Sequence, residues 1–271
     1  MKSIRRSLAC MGLGVAMMIL SGHAICAEPV RLYAAGSLRS VMNEIAQTFT
    51  AQSGIKVQGE FGASGILRQR IEGGEPADVF ASADMGHPKA LAAAGLASSV
   101  QLFARNRLCA IARPEVHVTS ETLLQQILDP AVKLGTSTPK FDPAGDYTWL
   151  MFEKAEKVKP GSFQTLDRKA LKLVGAPDSP PTPPDRTAYG KLLEDRAAEV
   201  FLTYCTNALL ATREVPGLYT VQLPETLAVS ADYGLTVLKA ARPEAKRFAD
   251  FIMSKQGQAI LVQHGFVSIG P

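Results

Sequence analysis

Apolar residues in the first third of the chain alternate between short continuous runs and stripes at helical spacing. The run from Val30 to Gly36 predicts a buried strand. The stripe that follows has the spacing of one helix face: Leu38, Val41, Met42, Ile45 and Phe49. It predicts a helix that starts at about Ser37 and ends at Gly54, because glycine is common just beyond a helix. The next run, Ile55 to Phe61, predicts a second strand.

The same alternation continues up to about residue 95. The segment Gly62-Ala63-Ser64-Gly65 predicts a turn into a second helix. A third strand at Ala77–Ala81 and a third helix at Lys89–Ala94, closed by Gly95, complete the series. Strands that alternate with helices at this spacing indicate an α/β protein with a parallel sheet.

The second half of the chain continues this pattern without an internal sequence repeat. Strands are predicted at Arg107–Ala112, Lys133–Thr136, Val200–Cys205, Leu218–Leu223 and Tyr233–Leu238. Helices are predicted from Ser120 to about Leu128, from about Gly145, from Thr187 to Arg196, and from Pro243 over a long last stretch. The stretch from Asp178 to Pro184 contains four prolines in seven residues, which predicts a stiff surface loop.

The first 27 residues have the composition of an export signal. Three cations precede a mostly apolar run, Leu8 to Leu20, and small residues follow it. We expect cleavage after Ala27. A membrane anchor is disfavoured because the run is shorter than the ~20 residues that a spanning helix needs. A lipoprotein is disfavoured because Ile25 precedes Cys26 where a small residue is required, and the Arg5-Arg6 pair leaves general and twin-arginine export both open.

Cleavage of this signal changes both the net charge and the number of cysteines. The whole chain of 271 residues has a formal net charge of +4, and the signal removes three cations and no acid, which leaves +1. Nucleic-acid binding therefore has no electrostatic support. We expect a protein that is soluble outside the cytoplasm and whose two remaining cysteines, Cys109 and Cys205, form one disulfide or stay as buried thiols.

Residues that could support catalysis are sparse. His87, His117 and His264 lack metal-ligand spacing to one another or to acids, so we interpret them as surface or capping residues and expect no direct metal site. The sequence contains no P-loop, G-x-S-x-G or G-x-G-x-x-G motif, and we expect no cofactor. A hydrolase built on Ser64 stays as an alternative, although no base to activate that serine is evident.

Three predicted junctions between a strand and a helix share small residues. They are Ala35-Gly36-Ser37-Leu38, Gly62-Ala63-Ser64-Gly65 and Asp142-Pro143-Ala144-Gly145. Such junctions lie at the carboxyl ends of strands, where α/β sheets bind ligands. Each helix start presents unpaired N–H groups, and Ser37 and Ser64 add hydroxyl donors, so the pattern predicts an oxyanion site. The alternative is that both serines are simple N-caps.

Several of these segments resemble the periplasmic molybdate-binding proteins of ABC transporters. The resemblance is carried by Leu32-Tyr33-Ala34-Ala35-Gly36-Ser37-Leu38, by Phe61 to Leu67, by Ile71 to Asp84, by Pro143-Ala144-Gly145, by Phe201-Leu202-Thr203-Tyr204, and by Phe248 to Phe266. It covers nearly all of the chain after the signal and is strongest from 32 to 96.

The resemblance implies an α/β fold of the two-lobed periplasmic binding type (type II), each lobe a mostly parallel sheet flanked by helices. Lobe one would be 28–105 with 225–271, and lobe two 106–224. The ligand-binding groups would be the hydroxyls of Ser37, Ser64 and Tyr204 and backbone groups of Ala144 and Arg186.

The function implied is that of the substrate-binding subunit of an ABC importer. It would capture molybdate or tungstate between the lobes and deliver the anion to a permease in the inner membrane. It would act as a monomer and would not be an enzyme.

Two charged residues depart from the family pattern. If both Asp146 and Arg186 face the cleft, they would pair with each other, or Arg186 would contact the ligand itself; the alternative is that one or both point to solvent. A contact of Arg186 with the ligand would favour another ligand, sulfate-like or organic. A binding module that serves a sensor is a further alternative.

Overall fold

The computed structural model describes residues 28–181, 186–267 and 269. The predicted signal at 1–27, with its cleavage after Ala27, lies outside the described residues, as do residues 182–185, which include the end of the proline-rich stretch. Within the described ranges, no helix is long and apolar enough to cross a membrane.

Nine strands and ten α-helices form the described part of the chain. The strands are β1 Val30–Ala35, β2 Val57–Gly62, β3 Val79–Ser82, β4 Gln101–Ala112, β5 Leu134–Ser137, β6 Leu171–Val174, β7 Val200–Tyr204, β8 Tyr219–Gln222 and β9 Ser230–Val237. The helices are α1 Arg39–Ser53, α2 Ser64–Glu72, α3 Gly86–Ala93, α4 Leu123–Leu128, α5 Pro143–Val158, α6 Ser162–Lys169, α7 Ala188–Glu194, α8 Cys205–Glu214, α9 Pro243–Met253 and α10 Lys255–Gln263.

The strands form one sheet in the order β2-β1-β3-β9-β4-β7-β5-β6, with β8 also paired to β4. Pairing is parallel towards both edges, where strands and helices alternate along the chain. It is antiparallel for every pair that contains β4 or β9. The expectation of mostly parallel sheets is therefore met only away from the centre, because β4 and β9 lie antiparallel to their neighbours there.

The long strand β4 divides the sheet into two halves. Residues Gln101–Arg107 pair with β9, whereas Leu108–Ala112 pair with β7 and, in part, with β8. We call β1, β2, β3 and β9 with their helices the first half, and β5 to β8 with theirs the second half.

Helix α1 shows why the apolar stripe produces this packing. Its buried residues are Val41, Met42, Ile45 and Phe49, and all of them belong to the main core of the first half. The helix ends at Gly54, whose φ of 72° lies in the left-handed region that glycine adopts without strain. The second half has a core on each face of its strands, so its helices cover both sides.

Several elements differ from the sequence-based expectation. Helices α6 and α8, strand β6 and the first part of β4 were not predicted. The long last helix is two helices, because Ser254 ends α9 and its side chain caps α10 by accepting the Gly257 N–H at 3.2 Å. Helix α4 begins at Leu123, and Thr122 occupies the N-cap position expected for Ser120.

Candidate functional site

A cavity of about 810 Å³ opens between the two halves, at the carboxyl ends of β1, β2 and β7. Its wall includes Ser37 and Ala63 from the first half and Asp142, Arg186 and Tyr204 from the second. This volume is in the range of small-molecule sites, roughly 300–1,000 Å³. The cavity therefore brings three of the five predicted site residues to one place.

Ser37 lies in a single 3-10 turn, Gly36–Leu38, between β1 and α1. Its hydroxyl is 3.0 Å from the hydroxyl of Tyr233, which belongs to β9. The N-cap position of the turn is Ala35 and that of α1 is Leu38, so Ser37 does not cap either element. The serine is thus held as a cavity-wall hydroxyl by a tyrosine of its own half.

Ser64 and Tyr204 approach one residue, Ala83, from opposite halves. The Ala83 N–H donates to the Ser64 hydroxyl at 3.1 Å, and the Tyr204 hydroxyl donates to the Ala83 carbonyl at 3.2 Å. Both side chains are buried, and Ala63 rather than Ser64 is the N-cap of α2. Burial raises the pKa of Tyr204 well above its usual value, so the phenol stays protonated and remains a donor.

Ala144 is buried in the first turn of α5, and its N–H is already occupied. The carboxylate of Asp142, the N-cap of α5, accepts this N–H at 3.1 Å. Burial raises the pKa of Asp142 to about 6. Sequence reasoning missed Asp142, because an aspartate directly before proline at a helix start has the ordinary signature of an N-cap.

Arg186 lines the cavity, but acids of its own half hold its guanidinium. Its Nε donates to Glu214 at 2.5 Å and its Nη1 to Glu194 at 2.8 Å. Asp146 accepts the Lys140 N–H at 2.9 Å instead. Of the possibilities for Asp146 and Arg186, pairing with each other is therefore not the one formed, since the two glutamates at the ends of α7 and α8 already compensate the arginine.

The two halves touch directly at the start of α2. The Gly65 N–H donates to the Phe141 carbonyl at 2.8 Å. A Cβ at position 65 would lie 2.6 Å from the Lys140 oxygen and 2.8 Å from the Phe141 oxygen, so only glycine permits this approach. The contact closes the cleft beside Ser64, which explains why that serine does not line the open cavity.

The histidines lie away from these hydroxyls. His264 has its Nε2 2.7 Å from Glu44, and the half-buried His87 ring has its Nε2 3.9 Å from Asp84. Neither imidazole hydrogen-bonds to Ser64. In the ranges that the structure describes, no group of three or more His, Cys, Asp and Glu side chains is placed to hold a metal ion.

Cys109 and Cys205 form a disulfide, with their Cα atoms 4.8 Å apart. Of the two alternatives that the sequence left open, the disulfide is the one formed. Cys205 follows Tyr204 directly, so the bond fastens the tyrosine at the end of β7 to strand β4.

Comparisons with known proteins match this architecture. Residues 30–267 match the family described as bacterial extracellular solute-binding protein. An uncharacterised protein of Pasteurella multocida is 37% identical over 240 residues, which cover 88% of this chain and 98% of that protein. The molybdate-binding protein ModA of Escherichia coli is 27% identical, and the match covers 91% of this chain and 92% of ModA.

Solved structures of anion-binding proteins share the fold. The periplasmic molybdate-binding protein of Azotobacter vinelandii superposes with a TM-score of 0.72 at 18% identity, covering 89% of this chain and 100% of that one. The sulfate-binding protein SubI of Mycobacterium tuberculosis gives a TM-score of 0.75 at 17% identity, covering 90% and 88%. The chain therefore belongs to the bacterial extracellular solute-binding proteins of the ABC-transporter type, and it has their two-lobed α/β fold.

Proposed function

We propose that this chain is the periplasmic substrate-binding subunit of an ABC importer and that it captures molybdate or tungstate between its lobes. One observation carries the proposal: the hydroxyls of Ser64 and Tyr204, one from each half, bond to the N–H and the carbonyl of Ala83, and Tyr204 lines a cavity whose wall includes Ser37. Neutral donors at helix starts bind an oxyanion without a full positive charge. The molybdate-binding relatives support this choice of ligand.

Hydrogen-bond donors from both halves would contact the same anion, and this shared contact favours the closed form of the cleft. The lobes would be 28–105 with 225–271, and 106–224, and the change in the pairing of β4 after Arg107 supports a boundary in this region. Binding would stabilise the closed state, because only that state brings both sets of donors to the ligand. The protein would be exported by its N-terminal signal, act as a monomer without cofactor or catalysis, and deliver the anion to an inner-membrane permease.

A sulfate-like ligand is the second candidate. The sulfate-binding protein of M. tuberculosis shares the fold, and neutral donors suit any tetrahedral dianion. An organic anion held by Arg186 is less well supported, because Glu194 and Glu214 already bind that guanidinium. A hydrolase built on Ser64 is also less well supported, since its hydroxyl bonds to the Ala83 amide and not to an imidazole.

Calorimetry tests the ligand directly. Ligand-stripped mature protein is titrated with molybdate, tungstate, sulfate and phosphate under one set of conditions. We expect molybdate and tungstate to bind more tightly than sulfate. Tighter binding of sulfate would select the second candidate, and heats at the dilution level for all four anions would contradict an oxyanion function.

A further inference from the structure

Asp142 places a carboxylate on the same cavity wall as the neutral hydroxyl donors Ser37 and Tyr204. Its position is fixed from two sides. Oδ1 accepts the Ala144 N–H at 3.1 Å, and Gly175 packs against the side chain so closely that a Cβ there would lie 2.5 Å from the Asp142 Cβ. Gly175 has a φ of +89°, so the backbone at this contact also suits glycine.

The charged and titratable groups around Asp142 do not neutralise it. Asp146 lies on the same helix and adds negative charge, and the buried phenols nearby are those of Tyr189, Tyr204 and Tyr233. The remaining charged groups on the cavity wall are Arg39, Arg186, Arg213 and Glu214. None of these arginines forms a salt bridge with Asp142 in the part of the chain that the structure describes.

An ionised carboxylate conflicts with the proposed ligand in two ways. It repels a dianion, and it is an acceptor only, so it has no proton to share with the anion's oxygens. It also occupies the Ala144 N–H, which the family resemblance assigns to the ligand. A protonated carboxyl removes the repulsion and supplies an O–H donor of its own.

We propose that Asp142 takes up one proton from solvent when a fully deprotonated oxyanion binds. The complex then holds that proton between the carboxyl and the anion. This inference rests on the proposed function, because it assumes that the ligand is an oxyanion in this cleft. Molybdate and tungstate carry no proton near neutral pH, so their binding has to be coupled to this uptake.

The coupling predicts how affinity depends on pH. Burial raises the pKa of Asp142 to about 6, so the free site is increasingly ionised above that pH. If only the protonated site binds the dianion, the dissociation constant rises up to about tenfold for each pH unit above 6.

Calorimetry with the Asp142→Asn variant tests the inference. Asparagine caps a helix as well as aspartate does, so the variant keeps α5 and leaves position 142 uncharged at every pH. Wild-type and variant are titrated with micromolar molybdate and tungstate from pH 6.5 to 8.5, in pairs of buffers that differ in ionisation enthalpy. We expect the affinity of the wild-type protein to fall about tenfold per pH unit, with uptake of close to one proton on binding. The variant should show neither the fall in affinity nor the proton uptake.

The Asp146→Asn variant is the matched control, because it removes a carboxylate from the same helix that accepts a different N–H. We expect it to keep the pH slope and the proton uptake of the wild-type protein. Molybdate binding that is independent of pH in the wild-type protein, or a slope that survives in Asp142→Asn, overturns the inference while leaving the proposed function intact. If neither the wild-type protein nor Asp142→Asn binds molybdate or tungstate at any pH, both the inference and the proposed function are overturned.

Discussion

Hydroxyl and amide groups in the cleft are already partnered within the protein. Ser37 bonds to Tyr233, Tyr204 bonds to the Ala83 carbonyl, and the Ala144 N–H bonds to Asp142. Affinity therefore reflects an exchange of bonds, not the simple addition of new ones. A serine hydroxyl can accept one N–H and donate its own proton, so Ser64 can keep the Ala83 N–H while it donates to an anion.

Removing either serine hydroxyl should weaken oxyanion binding. A hydrogen bond to a charged group contributes about 1.5–3 kcal/mol, so we expect Ser37→Ala and Ser64→Ala each to lose about tenfold or more in molybdate affinity by calorimetry. Ser40→Ala is the control, because Ser40 also lines the cavity but is exposed on α1. Unchanged affinity in both test variants would show that these hydroxyls serve only the fold.

Asp142 should also affect stability in a pH-dependent way. Its folded-state pKa of about 6 lies above the ordinary value of 3.8, so the folded state loses stability as pH rises from about 4 through 6. We expect Asp142→Asn to raise the free energy of unfolding by up to roughly 3 kcal/mol at pH 8, and by little at pH 4. Urea denaturation at both pH values measures this difference. An equal effect at the two pH values would contradict an ionised, buried carboxylate.

At the scale of elements, the sequence predicts those strands and helices whose hydrophobic pattern matches the packing and strand pairing that the structure shows. The alternation from Val30 to Ala94 is strong because β1 and β3 are buried and each helix has one apolar face, whereas β2 at the sheet edge is largely exposed. The first part of β4 lacks that pattern: its Gln101–Asn106 segment becomes a strand through antiparallel pairing with β9, more than 120 residues away. Helix α8 was missed because it starts at Cys205, directly after β7, without a turn residue to mark the change.

At the site, too, local sequence signals some residues, whereas tertiary contacts alone determine the role of others. Small residues at helix starts, together with the family resemblance, indicated Ser37 and Tyr204, which the structure places on one cavity wall. The surroundings of Arg186 were not predictable, because Glu194 and Glu214 reach it from two helix ends. Asp142 escaped notice because only tertiary burial separates it from an ordinary cap.

The contact between α2 and the loop before α5 should be sensitive to a single methyl group. We expect Gly65→Ala to weaken molybdate binding by about tenfold or more, since overpacking of this kind typically costs about 1–3 kcal/mol. Small-angle scattering should also show a larger radius of gyration, because the added Cβ pushes Lys140 and Phe141 away. Gly73→Ala, at the other end of α2, is the control. A Gly65 variant with wild-type affinity and radius would contradict this account of closure.

For the whole molecule, the disulfide joins positions that are 96 residues apart in sequence. A bond across a loop of about 100 residues contributes up to about 4.7 kcal/mol in the chain-entropy description, and typically about 2–4 kcal/mol. We expect reduction to lower the free energy of unfolding by this typical amount in urea denaturation. The Cys109→Ala/Cys205→Ala double variant should resemble the reduced protein and show no response to reductant. Equal stability of the oxidised and reduced proteins would contradict the prediction.

Strand β4 has one more consequence, for how the cleft can open. It runs unbroken from the first half into the second, and its partner changes between Arg107 and Leu108. Sliding or twisting one half against the other would break ladder hydrogen bonds on both sides of that point, whereas bending there preserves them. We therefore expect the two halves to open mainly by bending at this point. A single distance measured across the cleft should then report how far the two halves have rotated.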